Sequence, residues 1–353
     1  MSTSIPEIAI VNRRIGFGYP CFVIAEAGVN HNGDMEIAEK LIAAAAEAGA
    51  DAVKFQTFVA NRLVTRDAAK AEYQKKTTGA SESQYAMLSR LELSSDDHRR
   101  IMDCCKRHGI LFLSTPFDEE SADLLEALGV PAFKIPSGEI TNLPYLEHIA
   151  RKGLPVILST GMSTIGEVAT AIEAIEKAGD PGVVLLHCVS NYPTDPKTVN
   201  LRAMATMSSA FTRPVGFSDH TMGLEIAFAA VALGACLVEK HLTLDRTMPG
   251  PDHQASLEPG EMAALVRGIR HIEVALGDGR KQPSASEANT AAVARKSLVA
   301  ACDIAAGATL TAQMLAIMRP GTGLPPALRP AIVGRTLRVA VPAGTVLNWE
   351  MFV

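Results

Sequence analysis

The sequence predicts an α/β chain: a closed (β/α)8 TIM barrel followed by a small β-rich C-terminal domain. Three observations carry that reading. Eight apolar runs, FVIAEAGVN, DAVKFQTF, ILFLSTPF, AFKIPSGE, PVILSTGM, VVLLHCVS, PVGFSDHT and CLVEKHLT, begin near residues 22, 51, 110, 132, 155, 183, 214 and 235, and each ends in polar residues. Their two-sided hydrophobicity is that of buried parallel strands. Ala- and Leu-rich segments of helical period lie between them, with Ser94 and Thr164 as caps and Gly49, Gly109, Gly129 and Gly179 as stops. Eight such alternations favour a closed barrel over an open sheet. Finally, 353 residues exceed the needs of one compact domain, and the stretch GDGRKQPSASEANTAA has the composition of a linker. The expected domains are a barrel at 1–278 with an N-terminal hairpin, a linker at 279–294 and a small domain at 295–353.

Before the first run, EIAIVNRRI at 7–15 alternates loosely into a Gly-rich turn, which predicts a short hairpin suited to plugging one barrel end. The second inter-strand segment is the longest. Its polar part, AEYQKKTTGASESQY at 71–85, is too irregular for one helix and reads as a loop covering the active site. In the small domain IAAGATLTAQML (304–315) is echoed by VPAGTVLNWEMF (341–352), which predicts two pseudo-symmetric halves. Between them MRPGTGLPP carries Arg319 on a Pro/Gly-stiffened loop suited to docking.

Composition excludes several function classes. Net charge is -5, with 20% charged residues, one Trp and five Tyr, so neither a basic footprint nor stacking platforms for nucleic acid are present. The start lacks an apolar h-region and no run reaches the ~18 apolar residues of a membrane helix, so a cytoplasmic protein without membrane contact is expected. The six cysteines lack metal-type spacing and read as buried reduced thiols.

Reactive groups of a (β/α)8 barrel sit at the C-terminal strand ends. Here those ends offer Glu26, Asn30 and His31; Lys54 and Gln56; Ser114 and Thr115; Lys134, Ser137 and Glu139; Ser159; His187, Ser190 and Tyr192; Ser218, Asp219 and His220; and Glu239, Lys240 and His241. A lone polar strand end is ordinarily a hydrogen-bonded structural group, but so many converging on one mouth need a ligand to offset their desolvation. Two lysines among Ser/Thr hydroxyls describe a receptor for a small polyanion bearing phosphate and carboxylate. His220 and His241, on adjacent strands, can point at one ion. Without cysteines beside them, that ion would be a loosely held Mn2+ or Mg2+ rather than structural zinc.

Taken together, IAEAGVNHNG, DAVKFQTF, FLSTPFD, FKIPSGEITN, PVILSTGM, LLHCVSNYP, GFSDHT, EKHLTLDRTMPGPDHQASLEP and RPGTG resemble the sialic acid (nonulosonic acid) synthases over essentially the whole chain. The small domain resembles that family's antifreeze-like (SAF) domain. The resemblance implies condensation of phosphoenolpyruvate with an open-chain N-acetylated amino sugar and water, giving a nine-carbon 2-keto acid and phosphate. It implies that Lys54, Lys134, Ser137, Ser159 and Ser218 hold phosphoenolpyruvate, with Ser190 a further contact; the strand-end hydroxyl Thr115 is added to the substrate-binding residues by its position. It assigns His220 and His241 to a divalent metal, Mn2+ first, then Mg2+ or Co2+. Gln56, Glu139, Tyr192, Asp252 and Arg319 would face the sugar, Arg319 reaching across a domain-swapped homodimer. Glu26, Glu139 and Lys134 form the catalytic set. The sixth strand end, HCVSNYP, departs from the HCTNIYP of N-acetylneuraminate synthases and is closer to the legionaminic acid branch, leaving N-acetylmannosamine and a 2,4-diacetamido-6-deoxymannose both open as substrate. Competing readings are a Schiff-base aldolase using Lys134, another phosphoenolpyruvate-dependent aldol enzyme acting on a sugar phosphate, and a non-catalytic carbohydrate-binding protein.

Overall fold

The computed structural model describes residues 5–79 and 81–353; residues 1–4 of the expected barrel domain and Ala80 of the expected covering loop lie outside it. The chain forms two compact units, one ending at Gly277 and the other beginning at Asp278.

In the first unit eight parallel strands run in sequence order around the sheet: β1 Phe22–Gly28, β2 Ala52–Thr57, β3 Leu111–Pro116, β4 Phe133–Ile135, β5 Val156–Ser159, β6 Val183–Cys188, β7 Val215–Asp219 and β8 Leu237–His241. Seven junctions are hydrogen-bonded ladders, including β8 back to β1. At the eighth, β3 and β4 lie side by side without a regular ladder, so the barrel closes by packing there. Helices such as Met35–Glu47, Ser95–His108 and Ile165–Ala178 return the chain between strands. Their starts follow the predicted caps. Ser94 Oγ accepts from the Asp97 N–H and Thr164 Oγ1 from that of Glu167, each completed by the reciprocal carboxylate.

Strand parity decides what each residue meets. Val23, Ala25, Val53, Phe55, Phe133, Val156, Leu158, Phe217 and Val238 point outward and pack under the helices. Phe22, Ile24, Leu113, Ile157, Val184, Leu186 and Leu237 point inward. Ile8, Ile10 and Ile15 of the hairpin, an antiparallel pair Ile8–Ile10 and Arg13–Ile15, join that inner cluster and plug the N-terminal end of the barrel. Inside it, Gly216 must be a glycine for space alone: a Cβ would collide with Leu237 and Leu186.

The stretch after β2 forms three short helices, Ala60–Leu63, Glu72–Thr78 and Gln84–Ser89. Lys70 ties the last two together, its buried ammonium donating to Thr78 Oγ1, the Gly79 carbonyl and Glu82 at 2.8, 3.1 and 2.9 Å.

The second unit opens with a 3-10 turn, Ala285–Glu287, and a helix, Ala288–Ala294, followed by the antiparallel pair Ser297–Ala300 and Leu315–Met318. The sequence echo is structural. Gly307 and Gly344 occupy equivalent left-handed turns (φ 82° and 84°), each is followed by a 3-10 turn (Ala312–Met314 and Trp349–Met351), and Ile304 bridges Val341 between the halves. Five cysteines are buried free thiols; the expectation of burial fails for Cys302, which is exposed.

Candidate active site

Stepping by two along the inward face of each strand leads from apolar floor to polar mouth. Ile24 is followed by Glu26, Ala52 by Lys54 and Gln56, Leu113 by Thr115, Ala132 by Lys134, Ile157 by Ser159, Leu186 by Cys188, and Leu237 by Glu239 and His241; β7 contributes Ser218 and His220. All these polar residues line one cavity of about 320 Å3. Its size suits a small ligand.

The floor is a chain of alternating charges. Lys54 Nζ lies 2.6 Å from Glu26 Oε2 and 3.6 Å from Glu239 Oε2, and Lys134 Nζ lies 3.3 Å from Glu239 Oε1. Lys54 also donates to Thr115 Oγ1 at 2.8 Å, and Ser218 Oγ donates to Glu239 Oε1 at 2.8 Å. Burial pushes the Glu26 carboxyl up to about 7, with Lys54 only partly opposing it and Glu239 adding to it. Burial acts on Glu239 too, but Lys134, Lys54 and the Ser218 hydroxyl outweigh it and hold Glu239 as a firm carboxylate. Burial lowers the Lys134 ammonium, whereas for Lys54 the two carboxylates prevail and raise it. Two carboxylates in one site have thus been driven apart, one close to neutral pH and one fixed ionised, the usual preparation for acid/base work.

Above the floor, Ser137 Oγ accepts from the Gly161 N–H at 2.9 Å and lies 3.1 Å from Cys188 Sγ. A Cβ at Gly161 would strike Ser190 Oγ, Ser137 Oγ and Cys188 Sγ, so glycine is what lets these groups converge. Ser159 Oγ, Glu239 Oε2 and His241 Nδ1 are buried without a hydrogen-bond partner among the described residues. Buried polar atoms seldom stay unmatched, and several facing one cavity mark where a ligand's atoms belong.

The rings of His220 and His241 lie 5.6 Å apart, with Tyr192 4.1 Å from the first and 5.6 Å from the second. Burial brings His220 down to about 4; burial and then His220 itself hold His241 well below the ordinary value. Both imidazoles are therefore neutral, as metal ligands must be. His220 Nδ1 donates to the Val189 carbonyl at 2.8 Å, which leaves its Nε2 lone pair free, and His241 Nδ1 has no partner. This donor set fits a divalent cation whose other positions are filled by water or substrate oxygen. Among the described residues no group of three or more His, Cys, Asp or Glu could hold a metal.

Asp252, buried and raised to about 6 by that burial, joins Gln56, Ser190 and Tyr192 in the lining. Two residues that the resemblance assigns to the site are not part of this lining. Glu139 stands on the 3-10 turn Ser137–Glu139, and its Oε2 accepts from Asn142 Nδ2 at 2.7 Å. Arg319 is exposed in the second unit, just beyond the strand Leu315–Met318. Conversely, Glu239 is the hub of the floor, although its sequence marks it only as a polar strand end with no particular role. Parity is the signal that finds it: in the run Glu239, Lys240, His241, the two that share the inward face with Leu237 are Glu239 and His241. The same rule sends His187 outward, where Nε2 donates to the Val199 carbonyl at 2.6 Å. The outer wall of the cavity, which includes Leu63, Val64, Gln74, Gln84, Met87 and Leu91, is legible in the sequence only as a covering loop.

With this geometry in hand, the chain can be set beside known proteins. Residues 41–281 match the NeuB family and residues 295–353 match the SAF domain. The chain is 50% identical to the N,N'-diacetyllegionaminic acid synthase of Legionella pneumophila over 95% of each chain, and 51% identical to that of Campylobacter jejuni over 86% of this chain and 91% of the other. The crystal structure of an N-acetylneuraminic acid (sialic acid) synthetase from Leptospira borgpetersenii superposes with a TM-score of 0.72 at 37% identity, covering 82% of this chain and 96% of that one. A polar barrel mouth of this kind on a chain matched from end to end leaves one assignment: the protein belongs to the NeuB family, enzymes of the sialic acid synthase type, and carries a C-terminal SAF domain.

Proposed function

We propose that the chain condenses phosphoenolpyruvate with an open-chain N-acetylated amino sugar and water, releasing phosphate and a nine-carbon 2-keto sugar acid. The observation that carries this reading is the single cavity in which two buried lysines, a partnerless serine hydroxyl and two neutral imidazoles face one another. Lys54 and Lys134 neutralise the polyanion, and Ser159, Ser137, Ser190, Ser218 and Thr115 supply hydroxyls for its oxygens. His220 and His241 hold a divalent ion, Mn2+ in our reading, which when bound polarises the aldehyde oxygen. C3 of phosphoenolpyruvate bonds to the aldehyde carbon, whose oxygen takes up a proton. Water adds at C2 and gives up a proton, and the bond from C2 to the phosphate oxygen then breaks as the new C2 hydroxyl passes its proton to the departing phosphate. Glu26, with its carboxyl near neutral pH, is suited to carry these protons, and Glu239 faces the positive charge that develops at C2. Gln56, Tyr192 and Asp252 orient the sugar. A cytoplasmic location fits a pathway that consumes phosphoenolpyruvate, and no helix among the described residues is long and apolar enough to cross a membrane.

Phosphate release from phosphoenolpyruvate with a panel of acetamido sugars tests the reading; no release with any of them overturns it. Titration of metal-free protein with Mn2+, followed by electron paramagnetic resonance, tests the ion site. One bound ion is expected, lost in His220→Ala and His241→Ala.

Our reading keeps Arg319 and Glu139 as sugar-facing groups, with Arg319 supplied by the partner subunit of a swapped dimer. Co-refolding Lys134→Met with Arg319→Ala makes about half the dimers mixed, each with one intact site, so roughly a quarter of the activity returns. No return, with mixed dimers verified by tags, removes the swap.

A further inference from the structure

The cavity has two chemistries. Its floor is charged, whereas its outer wall is neutral and largely apolar, with Met87, Leu88 and Leu91 buried beside Leu63 and Val64. Among the described lining residues the only cations of the lysine or arginine type are Lys54 and Lys134, both on the floor. Two carboxamides interrupt the apolar wall. Gln74 Oε1 accepts from the Ala71 N–H at 3.0 Å and from Gln84 Nε2 at 3.3 Å. A backbone N–H can only donate, so this bond fixes which end of Gln74 is oxygen and, through it, the orientation of Gln84. Among the described residues, what remains to the pair are the Nε2 donors of Gln74, the second N–H of Gln84 and the Oε1 acceptor of Gln84. The wall is held in place before any ligand arrives, by the Lys70 ties and by Ser83, whose Oγ accepts from the Ala86 N–H.

We propose that Gln74 and Gln84, with Leu63, Val64, Met87 and Leu91, recognise a second acetamido group on the sugar, at C4; this rests on the condensation proposed above. An acetamide carries one acceptor, one donor and one methyl group. The free donor of Gln74 matches its carbonyl, the free acceptor of Gln84 matches its N–H, and the leucine, valine and methionine side chains receive its methyl. A hydroxyl would satisfy the polar atoms and leave the apolar wall uncovered. A phosphate would lie against a wall that offers it no described cation.

The experiment measures kcat/KM for phosphate release with N-acetylmannosamine, its 6-phosphate and the 2,4-diacetamido-2,4,6-trideoxy analogue, in wild type, Gln84→Leu, Gln74→Leu and Met87→Gln. Wild type should favour the diacetamido sugar. The ratio of its kcat/KM to that of N-acetylmannosamine should fall about tenfold in the glutamine variants, the order of one or two neutral hydrogen bonds. In Met87→Gln it should fall about fivefold, from loss of the methyl's apolar contact. Equal or better use of N-acetylmannosamine or its 6-phosphate overturns the inference and leaves the condensation standing. So does a ratio that stays within twofold of wild type in Gln84→Leu and Met87→Gln, which carry the test if Gln74→Leu melts early. No phosphate from any sugar overturns the condensation itself, and this inference with it.

Discussion

The inward and outward faces of the same strand ends bury similar residues to opposite purpose. Outward, Lys240 Nζ lies 2.6 Å from Asp219 Oδ2 and donates to the Thr221 carbonyl at 2.7 Å, while Asp219 Oδ1 accepts from the Thr221 N–H and hydroxyl at 2.8 and 2.7 Å. Thr57 Oγ1 likewise meets Ser114 Oγ at 2.7 Å and His98 Nε2 at 2.8 Å. Each of these groups is matched, although Asn30 Oδ1 and His31 Nε2, buried outside the cavity lining, are not matched among the described residues. Inward, one residue away along each strand, Ser159, Glu239 and His241 keep atoms without partners. Burial therefore does not distinguish a catalytic lysine from a structural one. The unmatched atoms beside it do, because a site built for a ligand must hold bonds in reserve.

That contrast can be broken by experiment, and the largest effect is expected outside the site. Lys240→Met strands Asp219 in the core, and loss of one partner of a buried pair should cost about 3–5 kcal/mol, read as a lower urea midpoint. Lys54→Met and Lys134→Met should shift that midpoint less than half as far, since Glu26 can take up a proton in place of its ion pair with Lys54, and without Lys134 the Glu239 carboxylate keeps Lys54 as a second ammonium. They should instead weaken phosphoenolpyruvate binding by about tenfold to a hundredfold by calorimetry, the worth of a charged hydrogen bond. If Lys54→Met destabilised as much as Lys240→Met, the distinction between the faces would fail.

A smaller pair of variants sharpens the same point. Ser114→Ala takes one of the two partners of Thr57 Oγ1 and should lower stability by about 1 kcal/mol with binding unchanged. Ser159→Ala removes a hydroxyl that has no protein partner, so stability should hold or rise while phosphoenolpyruvate affinity falls about fivefold. Parallel denaturation and binding curves for the two proteins check this; the reverse pattern would place the ligand elsewhere.

The two faces also differ in how much of them the sequence discloses. The strands are legible because a two-sided apolar run with a polar end suits a buried parallel strand and little else, and the expected start near residue 110 differs from the observed Leu111 only by the flanking residue. Side-chain direction is less legible. Glu239, Lys240 and His241 are three polar residues in a row, and only pairing with the apolar parity of Leu237 separates the two that face the cavity from the one that does not. The outer wall is hidden for a different reason. Its helices are four to seven residues long and draw their order from contacts such as Lys70 with Glu82, which local periodicity cannot reveal.

The hairpin that stops the lower end of the barrel has a kinetic consequence. With Ile8, Ile10 and Ile15 filling that end, the cavity is a blind well with one opening, and whatever binds at its bottom must enter first and leave last. Lys54, Lys134 and Ser159 lie at the bottom, each at most 5% exposed, whereas the carboxamides of the wall stand above them. Under the proposed assignment, substrates that share one doorway must queue: the polyanion would be admitted ahead of the sugar, and the sugar in place would then bar the polyanion's retreat.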